Sequence, residues 1–240
     1  ANVGTLIEPT SLDTISTDKL PKHLFSHSDQ RKYWENLNPY ELAKTGWGGR
    51  IADALDLRGL DNLPPIYGMS SDGMWLRANQ TKAYIFDTSG AITFSNLNEG
   101  NAIRDSLDSI HSENNILDKG LNDFNIGLKE IGMFENTLTF ISSDFGRSVT
   151  SNASGTDHGW GGHYFVMGGA VNGGKVYGQM PTLKIDSKNL TKSKRLIPST
   201  SVEQYVATIC KWYGLEENNL NEIFPNLKNF KEKDLGFMKI

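Results

Sequence analysis

The chain has 240 residues, 38% of them hydrophobic, enough for one core-bearing domain spanning residues 1–240. Its net charge of −4 and scattered lysines exclude a nucleic-acid footprint, and no apolar run approaches the roughly 18–20 residues that span a bilayer. Cys210 is the only cysteine, which excludes a disulfide framework and a thiolate metal cluster.

The opening run ANVGTLIEPT is small, apolar and strand-like, as though the chain begins inside a domain. From Asp29 to Leu37, the acidic start and the spacing of Tyr33, Trp34 and Leu37 predict a short helix that stops near Pro39. A second helix follows TGWGG, with Ile51, Ala52, Leu55 and Leu57 on its apolar side. Between Pro64 and Phe94 the runs PIYGM, AYIFD and AITFS alternate with Gly and Ser turns and predict a small β-rich patch of hairpins or small strands. Residues 116–133 place Leu117, Leu121, Phe124, Leu128 and Ile131 at spacings of four and three, an amphipathic helix that Gly132 can end. The run NTLTFIS then reads as a strand leading into SSDFGRSVTSNASGTDHGWGG, a polar loop. Helix, strand, then polar loop is the grammar of an α/β sheet with its chemistry at the strand's C-terminal end. Beyond it, HYFVMGGAV reads as a buried strand, NGG as a turn and KVYG as a returning strand. STSVEQYVATICKWYG carries hydroxyls in capping-box spacing before a helix with Val202, Val206, Ile209 and Tyr213 on one face, closed by Gly214.

The polar loop gathers the residues that could carry chemistry. Asp144 follows the predicted strand directly; it is read either as a carboxylate projecting into a ligand crevice or as the cap of the next turn. Arg147 can pair with Asp144 or grip an anionic group bidentately. Asp157 and His158 combine a carboxylate with an imidazole, donors that suit zinc or a similar cation, and a solvated loop histidine is the plain alternative. His163, five residues on, is a second ligand, a substrate contact or a hydrogen-bonded structural histidine. Near the N-terminus, HLFSHSDQRKYW brings His23, His27, Asp29 and Gln30 together; Asp29 either faces with His27 or caps the helix. TGWGGR has neither Walker spacing nor a G-x-G-x-x-G pattern, and no G-x-S-x-G elbow is present.

The run SSDFGRSVTSNASGTDHGWGGHYFVMGGAVNGGKVYGQMP closely resembles the bacterial domain-of-unknown-function family 1501, of the alkaline phosphatase-like or sulfatase-like superfamily. LFSHSDQRKYWE, TGWGGRIAD, STSVEQYVATICKWYG, IFPNLKNF and LGFM look like the family's other blocks. The resemblance implies an α/β fold with a mostly parallel sheet flanked by helices, present here in part. It also implies Asp and His ligands for divalent metal (zinc, calcium, magnesium or manganese) at strand ends. On it Asp144 and His158 stand as metal ligands and Arg147 and Asp157 as substrate-binding or outer-shell residues; His163, His27 and Asp29 are added to the latter group from the reading of the residues alone.

The implied activity is metal-dependent hydrolysis of phosphate or sulfate esters, with a small anionic ester as substrate. The alternative is a non-catalytic exported scaffold or binding protein of the same fold. The family's N-terminal ligand block has no counterpart, and its GFDTH block has only LDSIH, with Asp108 and His111, so a fragment or a degenerate member is expected. A periplasmic or exported location is likewise implied by resemblance alone.

Overall fold

The computed structural model describes residues 2–38, 44–56, 66–69, 73–86 and 117–239. Among them are five α-helices: α1 His27–Asn36, α2 Trp47–Asp56, α3 Leu117–Glu130, α4 Val202–Trp212 and α5 Glu217–Ile223. The strands are short: β1 Asn2–Gly4, β2 Tyr67–Met69, β3 Tyr84–Phe86, β4 Thr139–Ile141, β5 Arg147–Asn152, β6 Gly155–His158, β7 Gly162–His163, β8 Phe165–Met167 and β9 Thr200–Ser201. The molecule is thus mixed α/β.

At the centre lies α4, whose residues from Val202 to Cys210 are all buried. Its start is the capping box expected from the sequence. The Ser201 hydroxyl accepts from the Glu203 N–H at 3.1 Å, and the Gln204 side chain accepts from the Ser201 N–H at 2.9 Å. Around it pack Trp34 of α1 and Leu37 just after it, Trp47 and Leu55 of α2, Leu220, Ile223 and Phe224, and Phe237 with Met238. Fully burying side chains of this size stabilises the fold by about 1.5–3 kcal/mol each. Tyr213, expected on the same apolar face, is instead exposed, because it lies past the helix's last turn.

Both predicted glycine stops hold. At Gly132 and Gly214, with φ of +70° and +98°, the next residue's N–H reaches back to the Leu128 and Cys210 carbonyls. The stripe of α3 is only partly buried: Leu128 is inside, whereas Ile131 is exposed. Leu57 and Ile116 lie outside the described residues, as does AITFS.

The strand pairings are mixed. β1 lies between β7, antiparallel, and β9, parallel; β2 and β3 pair in parallel; β4 with β8 and β5 with β6 pair antiparallel. These ladders do not establish a mostly parallel sheet. Two sequence expectations change. β2 and β3 form a parallel pair and no hairpin, the intervening chain being tied to α2 by Asp53, which accepts from the Asn79, Gln80 and Thr81 N–H groups at 2.6–3.0 Å. KVYG forms no strand; Val171 bridges Met238 instead, so the edge next to it is taken by the chain's C-terminal end. The hairpin lies in the polar loop, where β5 and β6 turn through Ala153 and Ser154.

Candidate functional site

Strand β4 ends two residues before Ser143, and Ser143 fixes where Asp144 stands. The Ser143 carbonyl accepts from the Tyr164 hydroxyl, which in turn accepts from Trp34 Nε1 at 3.2 Å. Trp47 Nε1 donates to the Trp34 carbonyl at 2.9 Å, so the corner is tied to the core through two tryptophans. Burial pushes the Tyr164 phenol up to about 12, with nearby Asp144 adding to the rise, so the hydroxyl stays a donor. Asp144 Oδ1 then accepts the N–H of the next residue, Phe145, at 3.1 Å, a local contact that holds the carboxylate against the backbone.

Two glycines bring the second half of the site alongside. Gly159 N–H donates to the Gly146 carbonyl at 2.7 Å and Gly146 N–H to the Trp160 carbonyl at 3.2 Å. A Cβ on Gly146 would strike the Gly161 carbonyl, and one on Gly159 the Arg147 backbone at 2.7 Å, so only glycines allow the two segments to run this close. His158 is thereby placed beside Asp144's turn.

The third member comes from α1. His27, at the first position of that helix, sets Nδ1 at 2.6 Å from Asp144 Oδ2, across 117 residues of sequence. Its ring stands 4.3 Å from that of Phe145 and 4.4 Å from that of His158, the latter edge to face. His158 Nδ1 lies 2.8 Å from the Phe25 carbonyl, and its own carbonyl accepts from Arg195 Nε at 2.6 Å while the Arg195 guanidinium sits 4.0 Å over the Phe25 ring. Both imidazoles therefore face an oxygen acceptor with Nδ1. In its neutral form each carries the hydrogen there and leaves the Nε2 lone pair for a ligand.

The other residues singled out in the sequence do not join this cluster. Arg147 turns along its own hairpin and donates to the hydroxyl of Thr156 at 2.9 Å and to its carbonyl. Asp157 is exposed and accepts from Asn152 Nδ2 at 2.6 Å. His163 is exposed on β7 opposite Asn2. Asp29 lies 3.3 Å from His23, and the Ser26 hydroxyl, with His23 and Lys32, holds its carboxyl below the usual range. Asp108 and His111 are outside the described residues. Phe25, Phe145, Tyr164 and Arg195, all part of the arrangement, went unmarked in the sequence; a backbone carbonyl or a ring wall has no motif.

A family model described as "Protein of unknown function (DUF1501)" matches residues 103–224, half of the chain. The chain belongs to this family. No curated protein and no solved structure matches it. Within the DUF1501 segment lie Asp144, Phe145, His158, Tyr164 and Arg195, whereas Phe25 and His27 are supplied from outside it.

Whether the residues suit a divalent cation is decided by their donors. Two Nε2 atoms, each on a ring whose Nδ1 is held by an oxygen, form the donor type that zinc and its neighbours take, with the tether that fixes a ligating histidine. Asp144 spends Oδ2 on His27 and so stands behind that ring. Among the described residues no three His, Cys, Asp or Glu side chains converge to hold an ion. The described donors thus suit a divalent cation in kind alone. Also among the described residues, no helix is long and apolar enough to cross a membrane.

Proposed function

We propose that this DUF1501 chain carries part of the cation site of a metal-dependent hydrolase of phosphate or sulfate esters, with the alkaline phosphatase-like architecture it resembles and an exported, periplasmic place of work. The observation that carries the reading is the pair of imidazoles tethered at Nδ1, His27 by Asp144 and His158 by the Phe25 carbonyl.

His27 and His158 would hold the cation through Nε2. A bound divalent ion would neutralise charge on the ester's oxygens. The chain's own groups do the orienting. Asp144 keeps the His27 proton on Nδ1, the Phe25 carbonyl does the same for His158, and Phe145 packs against both rings so that neither turns away. Arg195 holds the His158 backbone from the other side. A small anionic ester is the substrate class that such a cation attracts.

Zinc and manganese titration of the full chain by calorimetry, with turnover of phosphate and sulfate monoesters measured alongside, tests the reading. Wild type is expected to bind a divalent ion. His27→Ala or His158→Ala should each weaken that binding at least about 10-fold, since either removes one of few donors. Ion binding and ester turnover unaltered in the double variant, or absent from wild type, would overturn it and leave a non-catalytic binding role for the fold.

A further inference from the structure

Between Val171, bridged to Met238, and Leu196, bridged to Leu190, the chain makes a long excursion with neither helix nor strand. Its composition departs from that of the molecule. The whole chain is acidic at −4, yet residues 175–195 hold six of its 24 Lys and Arg, and Asp186 is the one acid of 28 among them. The same stretch carries Val176, Met180, Leu183 and Ile185, at 65%, 61%, 58% and 57% exposure the four most exposed large hydrophobics among the described residues. Solvent-facing aliphatics in such numbers on a charged loop call for a partner, because each loses the gain of burial.

The excursion is tied down in a way that presents these side chains. Tyr177 donates to the Asn172 carbonyl at 2.6 Å and packs edge-on against Phe237 at 5.9 Å, anchoring one end. Leu190 is buried and anchors the other. Between them the Thr182 N–H donates to Asn189 Oδ1 at 3.2 Å, the Ser187 N–H to the Lys184 carbonyl at 2.9 Å, and Lys194 Nζ to the Ile185 carbonyl at 2.7 Å. The backbone at Thr182, Lys184, Ile185 and Ser187 is thus occupied within the loop, while the aliphatic side chains are left outside. Lys188 is paired with Asp13, itself exposed, and Lys184 and Lys192 face solvent.

We propose that the 175–195 excursion is a docking surface for an anionic lipid membrane, on which the chain lies without crossing it. Interfacial binding needs aliphatic side chains that enter the headgroup boundary and cations that meet anionic lipid, and both are interleaved here. A second copy of the chain fits less well, since a two-fold contact through this patch would set its lysines against the partner's own. A peptide partner would ask for a groove, whereas these side chains stand more than half exposed.

Co-sedimentation of the full chain with vesicles tests this, using zwitterionic phosphatidylcholine alone and phosphatidylcholine mixed with phosphatidylglycerol. Binding is expected to the mixed vesicles and to fall with added salt. Lys184→Gln and Lys192→Gln should each weaken it roughly five-fold. The triple variant Met180→Ser, Leu183→Ser, Ile185→Ser should weaken it more than about 10-fold with an unchanged melting curve, since all three side chains are exposed. Equal binding to both vesicle types, no binding, or binding indifferent to these variants would overturn the proposal. So would a concentration-dependent dimer that the triple variant breaks in the absence of lipid, which would assign the patch to a second copy.

Discussion

From Val202 to Cys210 every residue of α4 is buried, whereas at the corner His27 is exposed and Asp144 and His158 are half-buried. Both regions hold charged and polar groups, and they treat them differently. Glu203, fully buried, has its carboxyl oxygens answered by the Asn226 N–H at 2.9 Å and Asn226 Nδ2 at 2.6 Å. Thr208 donates to the Gln204 carbonyl and accepts the Leu235 N–H, so its hydroxyl is used on both sides. At the corner, in contrast, each imidazole is held by one nitrogen and leaves the other open. A region whose polar atoms are answered by its own chain contributes to persistence, and the proposed cation role of the corner rests on the ring nitrogens that the described residues leave unused. Substitutions should therefore cost stability in the first and ligand chemistry in the second.

The largest effect expected is Phe224→Ala. Phe224 is fully buried beside α4, and its loss should cost about 3–5 kcal/mol in urea denaturation, through lost burial and the cavity left behind. A cost under about 1 kcal/mol would mean that this end of the core collapses freely and is not the rigid half of the comparison.

Glu203 gives the next effect, and it has a sign. Burial drives its carboxyl from 4.5 up to about 7, against the pull of Asn226, the Leu227 N–H and Arg50. The folded state then holds the proton more tightly than the unfolded chain. Stability from this group is fully present below 4.5 and declines as pH rises toward about 7, by on the order of 2–3 kcal/mol. Urea midpoints measured across that window should fall with rising pH, and Glu203→Gln should flatten the slope. A slope that survives the substitution would place the linkage on other groups.

How much of each region was legible follows from the range of its contacts. Ser201, Gln204 and Gly214 announced α4 because caps and stops act within four residues. That the helix is buried all round was not legible, since Glu203, Gln204 and Thr208 read as polar and their partners lie 23–28 residues away. Asp144 and His158 stood out by residue type and resemblance, but the contact that organises them, His27 to Asp144, spans 117 residues. Arg147 and Asp157 lie apart from the imidazoles for a reason the sequence did not show. The loop's Ser and Gly content hid a hairpin, and within a hairpin both side chains find local partners, Thr156 and Asn152. β2 and β3 show the same limit, because short β-prone runs do not state the direction in which they pair.

The smallest effect on stability, and the sharpest on the corner, is expected from Asp144→Asn. Asn keeps an oxygen for the Phe145 N–H and the same volume, and Asp144 is not fully buried, so unfolding free energy should move by no more than about 0.5 kcal/mol. What changes is the partner offered to His27. A carboxylate can only accept, which compels the hydrogen onto Nδ1, whereas an amide can present either its oxygen or its NH2 and lets the ring take either tautomer. Imidazole 15N shifts should accordingly show His27 passing from one tautomer to a mixture, while His158, held by the Phe25 carbonyl, keeps its own. Divalent-ion affinity should drop about 10–100-fold, the usual cost of removing the group behind a ligating histidine. If instead Asp144→Asn lowers stability as Phe224→Ala does and leaves both rings' tautomers alone, Asp144 is a structural turn residue and the two regions differ in exposure only.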